Sequence, residues 1–96
     1  MLDVLTELSH VLAVAPGEWN RDRHNCAAHL GPYGTEKRRR PDAVWWGVVW
    51  WPERPTVLLE TGAGEHLGME VETSVADLRV TAERMRAALA LLRGAP

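Results

Sequence analysis

Apolar and polar positions along this chain follow four patterns, and each predicts an element. Near the N-terminus, Leu5, Leu8, Leu12 and Ala15 recur at 3–4 spacing, with Val4 and Val11 widening the stripe. That period predicts an amphipathic helix over 2–15, with Asp3 and Glu7 complementing its dipole and Pro16-Gly17 ending it. Between 66 and 72 the period changes to two. Leu67, Met69 and Val71 alternate with His66, Gly68, Glu70 and Glu72, which predicts a strand with one buried face. At the C-terminal end Val75, Leu78, Ala82, Met85, Leu89 and Leu92 step 3-4-3-4-3, the stripe of a long helix. Ser74 and Asp77 form a capping-box-like pair before it, and Gly94 suits the residue just past its end.

The fourth pattern has no polar side at all. Ala43-Val44-Trp45-Trp46-Gly47-Val48-Val49-Trp50-Trp51 holds four of the chain's five tryptophans. As a strand it places Val44, Trp46, Val48 and Trp50 on one face and Trp45, Gly47, Val49 and Trp51 on the other. Pro52-Glu53-Arg54-Pro55 turns the chain into a second strand, Thr56 to Thr61, and Gly62-Ala63-Gly64 turns it into the third. Residues 17–42 are irregular. Glu18 to Arg23, around Trp19, offers an optional short edge strand, and Gly31-Pro32-Tyr33-Gly34 is turn chemistry.

The predicted fold is therefore α+β over a single domain, 1–96. Its order is N-terminal helix, irregular segment, antiparallel meander of three strands with an optional fourth, and long C-terminal helix. Both helices pack on one sheet face, as expected when an antiparallel sheet buries a single side. Gly47 weakens the face carrying Trp45, so the other face is assigned to the core: Val44, Trp46, Val48, Trp50, Val57, Leu59, Leu67, Met69 and Val71.

That assignment leaves tryptophans uncovered. Two exposed rings present roughly 400 Å², near the largest apolar patch of a typical monomer. Trp45, Val49, Trp51 and Leu58 then form a candidate partner-binding surface, rimmed by Glu60, Glu70 and Glu72. The expected occupant is a protein partner, with self-association into a homodimer as another way to hide the patch.

Composition changes this picture little. Apolar residues are 46% and charged residues 25%, the range of a globular protein. The absence of Phe, Ile and Gln, with Lys37 as the only lysine, fits a GC-rich bacterial or phage origin. A net charge of −2 gives no field that draws nucleic acid. One cysteine fits a reducing cytoplasm, and no stretch is apolar enough to span a bilayer. Asp3, Glu7 and His10 interrupt the N-terminal apolar stretch, so a signal peptide is not expected.

Two alternatives lie in 22–40. Lys37, Arg38, Arg39 and Arg40 would neutralise phosphates of a nucleic acid, against a reading as a solvated run that protects a strand edge. His24, Cys26 and His29 are zinc-type ligands, with His10, His66 or Asp22 available as a fourth, but the spacing matches no strong zinc signature. The same cysteine with either histidine is a nucleophile–base pair without an orienting group. No phosphate loop, dinucleotide fingerprint, nucleophile elbow or H-E-x-x-H motif is present. The expectation is a small cytoplasmic, non-enzymatic binding module of inhibitor or adaptor type, without cofactor. The alternative is a nucleic-acid- or zinc-binding accessory protein.

Overall fold

A computed structural model of the protein describes residues 4–22 and 26–94. Helix α1 spans Val4–Leu12, followed by a 3₁₀ turn at Pro16–Glu18 and a short hairpin of β1, Asn20–Asp22, and β2, Ala27–Leu30. A single helical turn, α2, covers Glu36–Arg39. The meander is β3, Val44–Trp50; β4, Thr56–Ala63; and β5, Leu67–Ser74; α3, Leu78–Leu92, closes the chain. The five strands lie in the order β1-β2-β3-β4-β5, every neighbour antiparallel. The class is α+β as the patterns predict, with two corrections. The sheet has five strands rather than three or four, because Ala27–Leu30 pairs with β3 as a strand. Gly62 and Ala63 belong to β4, and the turn moves to Gly64-Glu65-His66.

Both long helices cover the face chosen from the sequence. Trp46, Val48, Val57 and Leu59 form one core with Leu5 and Leu8 of α1, and with Leu78, Ala82 and Met85 of α3. Leu8 and Leu59 are wholly buried, each contributing about 2 kcal/mol relative to exposure. Trp19 closes the core beside α1, its indole N–H donating to Ser9 Oγ at 3.0 Å. Val44 and Val71 have the core-facing parity but lie half open at the margins of the sheet, outside the helix footprint. The buried stripe of α3 ends at Leu89, and Leu92 is exposed.

The helix ends follow local chemistry. Ser74 Oγ accepts the Asp77 backbone N–H at 3.1 Å and donates to Asp77 Oδ2 at 2.9 Å, fixing the turn into α3. Gly94 takes φ +81° just past its end, in the left-handed region where glycine alone is unstrained. Helix α1 stops before Pro16-Gly17. Ala13 enters the left-handed region at φ 56°, Val14 N–H donates to Ser9 O, and Ala13 N–H donates to His10 O. These are the paired bonds of a Schellman cap, here with alanine in the position usually given to glycine. Asp3 lies outside the described residues. No helix among those described is long and apolar enough to cross a membrane.

Candidate functional site

The face opposite the long helices is built of cross-strand rows, and its chemistry follows from the register. One row runs Trp45–Gly62–Gly68. The next runs Asn20–His29–Gly47–Glu60–Glu70 across all five strands. A third runs Asp22–Ala27–Val49–Leu58–Glu72. Side chains within a row share a face and stand next to each other.

The first row overturns the expected open tryptophan. Trp45 is 8% exposed although no long helix lies above it. Its ring lies flat on two glycines. A Cβ at Gly62 would fall 2.6 Å from Trp45 Cζ2, and one at Gly68 would fall 3.4 Å from it. The indole N–H donates to Gly64 O at 2.8 Å. From above, the Lys37 ammonium sits 3.6 Å from the ring centroid, carried there by α2. Gly31, at φ +84°, lets the preceding loop run against the backbone of Val44 and Trp45. Trp45 is therefore a buried residue of a small second core and not an exposed anchor. Its cover comes from the polar segment between β2 and β3, through Lys37.

The second row makes a hollow. Gly47 lies in the middle of β3 between large residues, and the space it leaves is taken by Glu60. An added Cβ at Gly47 would meet Glu60 Oε1 at 2.8 Å. The carboxylate thus lies down over the glycine, toward the side of the row that holds His29. Its neighbour across the other strand pair is Glu70, a like charge in direct register, which is destabilising on its own. Glu60 has no hydrogen-bond or ion-pair partner among the described residues. A groove of about 330 Å³ opens here, with Asp22, His29, Tyr33, Lys37, Trp45 and Val49 among its walls. His29 and Tyr33 stack with centroids 4.3 Å apart, giving the groove an aromatic side.

The third row is mixed. Val49 and Leu58 are half-buried and adjacent, and exposed Glu72 stands beyond them, with Thr56 Oγ1 3.5 Å from its Oε1. Trp51, one residue past β3, is half-buried, with the Arg54 guanidinium 4.9 Å from a ring centroid. Each of these two tryptophans thus carries a cation. Of the seven residues assigned to a partner surface, the structure brings Val49, Leu58, Glu60, Glu70 and Glu72 together on the face opposite the long helices. It takes Trp45 out of reach and places Trp51 at the end of the strand under Arg54.

The basic run is largely engaged within the chain. Lys37 lies on Trp45, Arg38 pairs with Glu65 at 3.3 Å, and Arg39 pairs with Glu36 at 3.3 Å. Arg40, at the end of α2, has no such contact among the described residues. Of the zinc-type ligands, His24 lies outside the described residues. Cys26 is half-buried, with its carbonyl accepting the Trp50 N–H at 2.9 Å. His29 is turned onto Tyr33. Among the described residues no three His, Cys, Asp or Glu side chains are grouped to hold a metal.

Gly47 and Tyr33 line this groove and are absent from the residues that strand parity assigns to a partner surface; Asp22, also in its lining, enters the sequence reading only as a possible zinc ligand. A glycine in mid-strand was the available signal, since it marks a close approach by a ligand or another group. Comparison of the chain with protein-family models, with curated proteins and with solved structures finds no match, so these rows carry the functional argument unaided.

Proposed function

We propose that this chain is a non-enzymatic protein-binding module, of inhibitor or adaptor type, that docks a basic protein surface on the sheet face opposite its long helices. The observation that carries this reading is the juxtaposition on one face of half-buried Val49 and Leu58 with Glu60, Glu70 and Glu72. Glu60 and Glu70 stand in direct register without an intervening base. Like charges in register cost stability in the free protein, and a cationic partner surface converts that cost into attraction. The apolar pair supplies desolvated contact, and the acidic residues speed encounter and select against acidic competitors.

The test is comparative capture from the source organism, followed by calorimetry with the purified partner. The baits are wild type, Glu60→Gln/Glu70→Gln/Glu72→Gln, Leu58→Arg, and Arg38→Gln/Arg39→Gln/Arg40→Gln. The expected result is one basic protein retained by wild type and by the arginine variant. Its affinity falls at least about tenfold in the glutamate variant and in Leu58→Arg, with unchanged thermal melts. Binding that survives both face variants overturns the proposal. So does a complex of nucleic acid alone that the arginine variant loses, or a homodimer that fills the face.

A further inference from the structure

Within that docking face, and resting on that reading, we propose that the hollow over Gly47 is the receptor for one arginine side chain of the partner, with Glu60 as its carboxylate ligand. Three observations converge on this hollow. Gly47 removes the side chain that would fill it, and Glu60 is laid into the gap rather than extended into water. The Glu60 carboxylate has no cation partner among the described residues and faces a like charge, Glu70, in register. His29 and Tyr33, stacked on each other, both line the groove.

A guanidinium answers all three features. It donates two parallel N–H bonds to one carboxylate, stacks flat on aromatic rings, and sheds water more readily than an ammonium. The charges facing the groove permit it. Lys37 lines the groove, its ammonium 3.6 Å from the Trp45 centroid and 6.0 Å from the Tyr33 centroid. Arg21 also lines the groove, but its guanidinium lies 5.8 Å from the Trp50 ring, a residue of the opposite face. Glu60 and the neighbouring Glu70 supply the negative field. The groove, about 330 Å³, has room for one long side chain.

The experiment is amide chemical-shift titration of the isotope-labelled full chain with N-acetyl-arginine methylamide, and with its lysine and citrulline counterparts. Saturable shifts are expected at Gly47, Glu60 and His29 with arginine, about tenfold weaker with uncharged citrulline, and intermediate with lysine. Glu60→Gln should abolish them and Glu72→Gln should leave them. Gly47→Ala evicts a flexible side-chain end rather than backbone, so it should abolish them while leaving the melt intact. An equal response to citrulline, or no response in a folded protein, overturns the arginine receptor. Shifts spread over Glu70 and Glu72 and lost equally in Glu72→Gln also overturn it, leaving general docking of a basic surface to stand on the capture experiment. If the hollow responds to arginine while capture yields no basic partner, the docking reading fails and the receptor must serve a free guanidinium compound.

Discussion

Trp45 and Trp46 are adjacent in the chain, point to opposite faces of the same strand, and are buried to nearly the same extent, 8% and 5% exposed. The means differ. Trp46 is covered by a full layer, with α1 and α3 laid over the sheet in one continuous core. Trp45 has no such layer. It is buried by a floor of glycines, one hydrogen bond at its edge and one lysine on its outer face. An aromatic side chain on an open sheet therefore does not have to face solvent or a partner. Small residues on two neighbouring strands and a single cation suffice to close it off. The cost is local, since the glycines give up side chains that would otherwise pack, and the lid is one flexible residue.

The largest effect that tests this contrast is expected at Trp46. Trp46→Ala should cost about 3–5 kcal/mol in urea unfolding, because the helices cannot collapse into the space. Trp45→Ala should cost less, about 2 kcal/mol, since its site opens to water when the ring is gone. Equal losses would mean that the lysine-lidded pocket behaves as a true second core. Gly62→Ala attacks the floor instead. Its Cβ would run into the Leu67 carbonyl oxygen and the Trp45 ring, and a loss of about 1–3 kcal/mol is expected. An unchanged midpoint would show that the ring does not rest on that glycine. Lys37→Met keeps the stem and removes the charge, and should cost about 0.5–1 kcal/mol. A double-mutant cycle with Trp45→Leu should return the same coupling. The smallest effect has the opposite sign. Glu70→Gln relieves the register with Glu60 and should stabilise the free protein by a few tenths of a kcal/mol, measured by thermal melt, while weakening any basic partner.

Much of the helix-covered half was legible in the sequence. Valines alternating with tryptophans, together with Gly47, fixed which parity of β3 meets the helices. The 3-4 stripe of α3 held from Leu78 to Leu89. The open half was read less well, and for one reason: its glycines have two meanings. Gly62 and Gly64 flank an alanine in a spacing that signals a turn, but only Gly64 turns. Gly62 carries no side chain where the Leu67 carbonyl and the ring of Trp45, the second residue of β3, close over it. Nothing local to Gly62 names Trp45 as the cause; the information lies in a register that forms only on folding. Strand β2 was hidden similarly. Ala27-Ala28-His29-Leu30 has no β-branched residue, and its strand state comes from pairing with β3 rather than from propensity. With β2 unseen, His29 could not be placed across Gly47 from Glu60, and the hollow between them had no sequence signature beyond a glycine in the wrong place.

The meander also has a consequence for the order in which the molecule assembles. Every strand pairs only with its sequence neighbour, so the sheet can grow by successive antiparallel pairings, with short closures except at the 31–43 connection that carries α2. The joining of α1 to α3 is different in kind. Arg79 of α3 binds Glu7, 72 residues away, and Arg86 donates to the Val11 carbonyl, 75 residues away. These contacts wait for the chain to return on itself, and loop-closure entropy must be overcome before they reward it. Helix α1 is thus placed to dock last and to detach first. Native-state hydrogen exchange should find the α1 amides opening in a separate unit of lower free energy than those of β3 and β4, and uniform protection across all three would show that docking and sheet formation are a single event.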